Sequence, residues 1–380
     1  MLVIRNGLIH DAVNRDPYRA DILISDGKIL DIGLDLSEDA EIFDAQGKDI
    51  YPGFVDAHTH VGVAGTGIGF EGSDYNEMSD CLTPQLRAID SVNPFDESFA
   101  RARNAGVTSV ATGPGSANVV GGTWAAFKTQ GISADRMVIR DPIAMKCAFG
   151  ENPKAVYRDK GNRARMSTAA HLREILFKTK QYLAKKEAAA GDPAKEPAFD
   201  FKLESMIPVI RKEIPLKAHA HQANDILTAI RIAKEFDVLL TLEHVTEGHL
   251  IADLLAEENY PLAVGPTMMH ASKPEVKNKS WETAGILSAK GCTVSIVTDH
   301  PFSMISYLPV YAGLCVKAGM DSFEALKAIT IHPAAHILCA DRIGSIEKGK
   351  DADLVIYDGD LFSSLSSVSD VFIDGIRIQR

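Results

Sequence analysis

Tyr51-Pro52-Gly53-Phe54-Val55-Asp56-Ala57-His58-Thr59-His60 begins with a turn signal, runs through an apolar pair and ends on two histidines one residue apart. On an extended strand side chains repeat every second residue, so His58 and His60 project from one face and can hold one metal ion together. A His-x-His pair alone proves little. The weight lies downstream, where apolar, strand-like runs end on more such groups: His219 and His221 after Pro215-Leu216-Lys217-Ala218, His244 after residues 238–243, and Asp299 after residues 293–298. In a barrel of parallel strands the carboxyl ends share one rim, which brings residues far apart in sequence around one point.

Around this series the chain has three textures. Residues 2–44 alternate short β-type runs with turns, including the hairpin signals Asn6-Gly7 and Asp26-Gly27, and residues 353–375 repeat the pattern, so the two terminal segments are predicted to pair. Between them strands alternate with helices, which argues for parallel β/α units. The spacing predicts helices over 97–104, 168–190, 203–212, 223–236, 251–257, 282–290 and 322–329, and strands over 107–112, 238–243, 262–264 and 293–298. The third and fourth strands should come from 113–150, yet Gly113-Pro114-Gly115 and Gly121-Gly122 break that stretch into loops.

Composition narrows the function class. With 380 residues, 46% apolar and 24% charged, the chain has the balance of a globular protein with a sizeable core. A net charge of -11 argues against nucleic acid as a partner, and the basic cluster at 154–165 reads as a solvated loop and helix start. Cys81, Cys147, Cys292, Cys315 and Cys339 show no paired spacing, and Met1-Leu2-Val3-Ile4-Arg5 lacks the apolar region of a signal peptide. No segment reads as a membrane span, so a cytoplasmic protein with no membrane partner is expected.

Taken together, the 51–60 strand, Lys217-Ala-His-Ala-His221, Leu242-Glu-His244, Val297-Thr-Asp-His300 and the closing run from Gly344 to Val355 make the chain resemble the amidohydrolase superfamily of metal-dependent hydrolases, in its imidazolonepropionase-like branch. The resemblance covers essentially the whole length. It implies an α/β fold: a distorted (β/α)8 TIM barrel over residues 51–340, beside a small β-sandwich built from residues 1–50 and 341–380. It also implies a small-molecule substrate and a homo-oligomer.

By that resemblance His58, His60, His219 and His244 are metal ligands, and Asp299 is a ligand that also moves a proton from water to the leaving group. His221, on the same face as His219, either supports the ligands from behind or touches substrate, and His270 becomes a contact to substrate, for which a surface or packing role is the plain alternative. A further ligand is expected from residues 145–153. Glu151 matches the glutamate that some members use, and Lys146 matches the lysine that others carboxylate to bridge two metals; Glu151 is the favoured choice, against a capping role for it and a solvent-facing strand role for Lys146. His300 either touches substrate or packs, and His332 and His336 are expected to pack or cap. The Gly113–Gly122 run reads as a turn-rich loop, since its spacing is not that of a phosphate loop.

The implied chemistry is hydrolysis of an amide, lactam or cyclic imide-type C–N bond in a small molecule or dipeptide-like substrate. One or two divalent ions are expected, zinc first, with manganese, iron or cobalt suiting the same donors. The same barrel supports lyase or isomerase chemistry in relatives, and some relatives are non-catalytic assembly proteins; retention of the five ligands argues against the last reading.

Overall fold

Phe54–Thr59 is the first of eight strands in the central sheet of the computed structural model, which describes residues 1–36, 39–65, 69–363 and 365–379. Every residue of that strand is buried, because one face packs against surrounding helices while the other fills the barrel. The remaining strands are Val107–Thr112, Val120–Lys128, Val138–Ala148, Leu216–Ala220, Leu240–His244, Leu262–Val264 and Val294–Ile296, and they pair in chain order. Beyond the eighth strand the chain returns to the first. The Asp299 N–H donates to the His58 carbonyl (3.0 Å) and the His60 N–H to the His300 carbonyl (2.7 Å), which nearly closes the barrel at the residues that carry the site.

One expectation fails. The units are not all parallel: Val120–Lys128 runs antiparallel to both its neighbours. A parallel pair needs a crossover of roughly a dozen residues or more, whereas the loop from Gly113 to Val119 is shorter and turns the chain straight back. The return to Val138–Ala148 is also short, with one helical turn at Ala134–Met137. Glycines that read as breakers thus lie at the start of a fully buried strand. Elsewhere the helical periodicity holds. Ala223–Phe236 buries Ile226, Ala229, Ile230 and Ala233 on one face and ends in the left-handed Asp237, and Glu97–Asn104 starts where the Asp96 carboxylate accepts the Ser98 N–H.

Both termini build a second eight-stranded sheet with its own core of Ile4, Ile22, Ile50, Leu354, Ile356 and Phe372. Asp49–Pro52 lies between Leu2–Ile9 and Leu354–Asp358, so it joins the two ends of the chain. From Pro52 the chain enters the barrel through Gly53, where a Cβ would lie 2.1 Å from Thr108 Oγ1; only glycine permits that approach.

Lys128 fastens the barrel to this sheet. Its buried ammonium reaches Asp351 (2.9 Å), Asp353 (2.6 Å) and Asp374 (3.0 Å). Burial opposes its charge, yet the three carboxylates hold its pKa at about 12, above the ordinary 10.5. A raised folded-state pKa stabilises fully below the unfolded value, so this contribution is present below pH 10.5 and is lost as pH rises through about 12. Lys128→Met is expected to destabilise the fold by ~3 kcal/mol, the low end for a broken buried pair because Asp374 is partly exposed. Denaturant unfolding at pH 7 checks this, and an unchanged midpoint would remove Lys128 from the fastening role.

Candidate active site

At the carboxyl ends of the barrel strands three rings have fixed tautomers. The His58 Nδ1–H donates to Glu243 Oε2 (2.6 Å), the His60 Nδ1–H to the Gly113 carbonyl (2.8 Å) and the His244 Nδ1–H to the Gly265 carbonyl (2.7 Å). Such oxygens only accept, so each proton sits on Nδ1 and each Nε2 keeps a lone pair. Burial, helped by Lys146, holds His58 well below the ordinary histidine range; burial also lowers His244.

Asp299 has φ 52°, a left-handed turn that ends the strand's alternation, and His244 has φ 74°. Asp299 Oδ1 comes to 3.6 Å from His58 Nε2 and 3.5 Å from His60 Nε2. Two groups result, His58 with His244 and Asp299, and His219 with His221 and His244, the donor atoms of each lying within 4.8 Å of one another. Among the described residues Asp299 Oδ1 and His219 Nε2 are buried without a hydrogen-bond partner. Asp299 Oδ1 faces the His58 and His60 Nε2 lone pairs, acceptors that are costly to bury together, and a divalent cation is the kind of group that satisfies them. The nitrogen and carboxylate donors fit such an ion.

Behind this rim lies a buried charged layer. Glu243 accepts from His58, from Lys217 Nζ (2.8 Å), from Thr241 Oγ1 (2.8 Å) and from His336 Nε2 (2.8 Å). Burial alone would push its carboxyl up, but Lys217 and His336 prevail and hold it well below the usual range. The ammoniums of Lys146 and Lys217 lie 5.0 and 4.8 Å from the centre of the fully buried Trp124 ring. Asp56 ties the first strand to the eighth by accepting from Thr298 N (3.1 Å) and Oγ1 (2.6 Å), and burial raises its pKa to about 7 despite those bonds.

Lys146 is buried rather than solvent-facing, with Nζ 3.2 Å from His58 Nε2, and burial lowers its pKa to about 8. Glu151 starts the helix Glu151–Val156 and belongs to neither ligand group; its backbone N–H donates to Glu275 Oε2 (2.9 Å). His221 is set apart from the ligands by the resemblance, yet it shares a group with His219 and His244, and its Nδ1 meets Thr246 Oγ1 (2.7 Å). His270 is exposed at the rim of a cavity of about 280 Å³. That cavity meets a second of about 220 Å³ at His219 and Asp299.

The sequence reading missed Glu243, Lys217, Trp124 and Glu275. Lys217 was findable, since it shares the period-two face of His219 and His221. Glu243 precedes His244 and by alternation should face away from it; the positive φ of His244 brings both into the interior. Glu275 lies in a short turn, Pro274–Val276, and is buried through Lys273 and Glu151, partners that leave no local signal.

The molecule is thus an eight-stranded barrel with a histidine–aspartate cluster at its strand ends. More specifically, the chain belongs to the amidohydrolase family, whose model, described as "Amidohydrolase family", matches residues 50–377. It is similar to a solved amidohydrolase from Thermotoga maritima MSB8, 41% identical, covering 100% of both chains with a TM-score of 0.96. It is 28% identical to the amidohydrolase tasK of Hapsidospora irregularis over 94% of this chain, which spans 40% of the length of tasK. An imidazolonepropionase from Thermoplasma acidophilum is 24% identical over 94% of this chain and 87% of that protein.

Proposed function

We propose that the chain hydrolyses an amide, lactam or cyclic imide-type C–N bond of a small molecule. The observation that carries this reading is the approach of Asp299 Oδ1 to both His58 Nε2 (3.6 Å) and His60 Nε2 (3.5 Å), with no hydrogen-bond partner of its own among the described residues. Relatives named imidazolonepropionase, dihydroorotase and allantoinase support the bond class.

His58, His60, His219, His244 and Asp299 would hold one or two divalent ions, with zinc the first choice. Lys146, 3.2 Å from His58, completes the set in preference to Glu151. As an ammonium it would repel cations; with a carboxylate on its amine it offers oxygens instead. When bound, such an ion supplies Lewis acidity that makes water a nucleophile near neutral pH and polarises a carbonyl.

The rest falls to the side chains. Asp299 takes a proton from water as the new C–O bond forms and gives it to the nitrogen as the C–N bond breaks. His221 is kept neutral by burial, reinforced by His219 and His244, and with Thr246 on Nδ1 it offers Nε2–H to the developing oxyanion. His270 meets the outer part of the substrate. Trp124 and the Glu243 layer keep water from the back of the site.

Metal analysis together with a hydrolysis screen of amides, lactams and cyclic imides tests the reading. Bound divalent metal is expected, and chelation should abolish cleavage that metal then restores; metal-stripped protein that cleaves at full rate overturns the proposal. Reconstitution with and without bicarbonate tests Lys146. Equal activity in both removes its carboxylated form from the ligand set.

A further inference from the structure

Lys279 lies on the segment that follows the seventh strand, half-buried, and among the described residues its ammonium hydrogen-bonds only the His270 carbonyl, at 3.4 Å. Among the described residues no carboxylate pairs with it, although acids outnumber bases 51 to 40 in this chain. Its neighbour Lys273 is different: it is ion-paired with the buried Glu275 and donates to Asn152 Oδ1 (2.9 Å). Burial depresses the Lys279 pKa, a cost that an anionic partner would offset.

The position of this cation gives it a use. Lys279 lines a cavity of about 280 Å³ that His219, His221 and Asp299 also line. The adjoining cavity of about 220 Å³ shares His219 and Asp299; its one lysine, Lys146, sits at the histidine cluster, 3.2 Å from His58, and away from that cluster it is bounded by Tyr75, Met78 and Val156, which carry no charge. A molecule whose reacting bond sits at Asp299 therefore has one arm along uncharged side chains and the other along Lys279. Glu275 neutralises Lys273, so this wall offers one net positive charge and suits a monoanion.

We propose that Lys279 binds a carboxylate of the substrate, which makes the substrate class small amides or lactams that bear a free carboxylate on the arm reaching the segment after the seventh strand. This rests on the hydrolase reading for the placement of the reacting bond. The role is positioning: Lys279 fixes the substrate through its anion and takes no part in bond breaking.

The test is calorimetric binding and turnover by metal-loaded protein of N-acetyl amino acids, dipeptides and lactam carboxylic acids, each beside its neutral carboxamide. The free acids are expected to bind about tenfold or more tightly than the carboxamides. Lys279→Met should erase that preference by raising KM with little change in kcat, and Lys279→Arg should restore most of it. Lys277→Met, at an exposed lysine two residues away, should leave it intact. Equal binding of acids and carboxamides, no binding of any acid, or a preference that survives Lys279→Met overturns the assignment. Cleavage of acids and carboxamides alike removes the subsite and leaves the hydrolase reading standing. Acids that bind through Lys279 but are never cleaved do the reverse.

Discussion

Asp299→Asn is expected to lower kcat by roughly two to four orders of magnitude, the range that positioned general acid–base groups contribute. The side chains have the same shape, and asparagine keeps one oxygen to face His58 and His60 across the 3.6 and 3.5 Å gaps. What the amide cannot do is take a proton from water and release it to nitrogen. KM should change little, because Lys279 and the cavity walls, not Asp299, hold the substrate. Metal content measured beside kcat decides the assignment. Metal retained with turnover unchanged would show that another group moves the proton; metal lost together with turnover would make Asp299 chiefly a ligand.

The limits of the sequence reading have physical causes. The first strand was legible because Tyr51-Pro52-Gly53 marks its start and His58 and His60 share a face, and Ala223–Phe236 because a helix buried on one side repeats its apolar residues. Val120–Lys128 has no such mark. It is buried on both faces, so it shows no alternation, and its direction is set by the length of the loop before it. The candidate ligands at strand ends could be listed, but their division into two groups could not, since it goes with left-handed turns at His244 and Asp299. Lysine is ordinarily a surface residue, so Lys146 and Lys217 inside a barrel ran against composition. Glu151 and Lys146 are separated by one turn of chain: the strand ends at Ala148 with Lys146 buried, and Glu151 falls on the helix beyond it, a break that residue types alone do not mark.

Removal of Glu243 should be the most damaging single change to the fold. Glu243→Ala would strand the Lys217 ammonium, the His336 ring and the His58 Nδ1–H in a fully buried layer, and an uncompensated buried charge of this kind costs about 3–5 kcal/mol. The same change frees the His58 tautomer, and loss of such an orienting partner commonly weakens metal binding about 10- to 100-fold. A double variant separates the effects. Glu243→Leu with Lys217→Met removes the buried cation along with its partner, and apolar replacement of a buried ion pair is often neutral or better, so much of the stability should return. Metal affinity should not return, because His58 still lacks its acceptor. Denaturant unfolding and metal titration of wild type, Glu243→Ala and the double variant give the three comparisons. If Glu243→Ala unfolds at the wild-type midpoint, the layer is solvated and its stabilising role is wrong; if the double variant regains full metal affinity, Glu243 acts on the site through packing and not through the His58 proton.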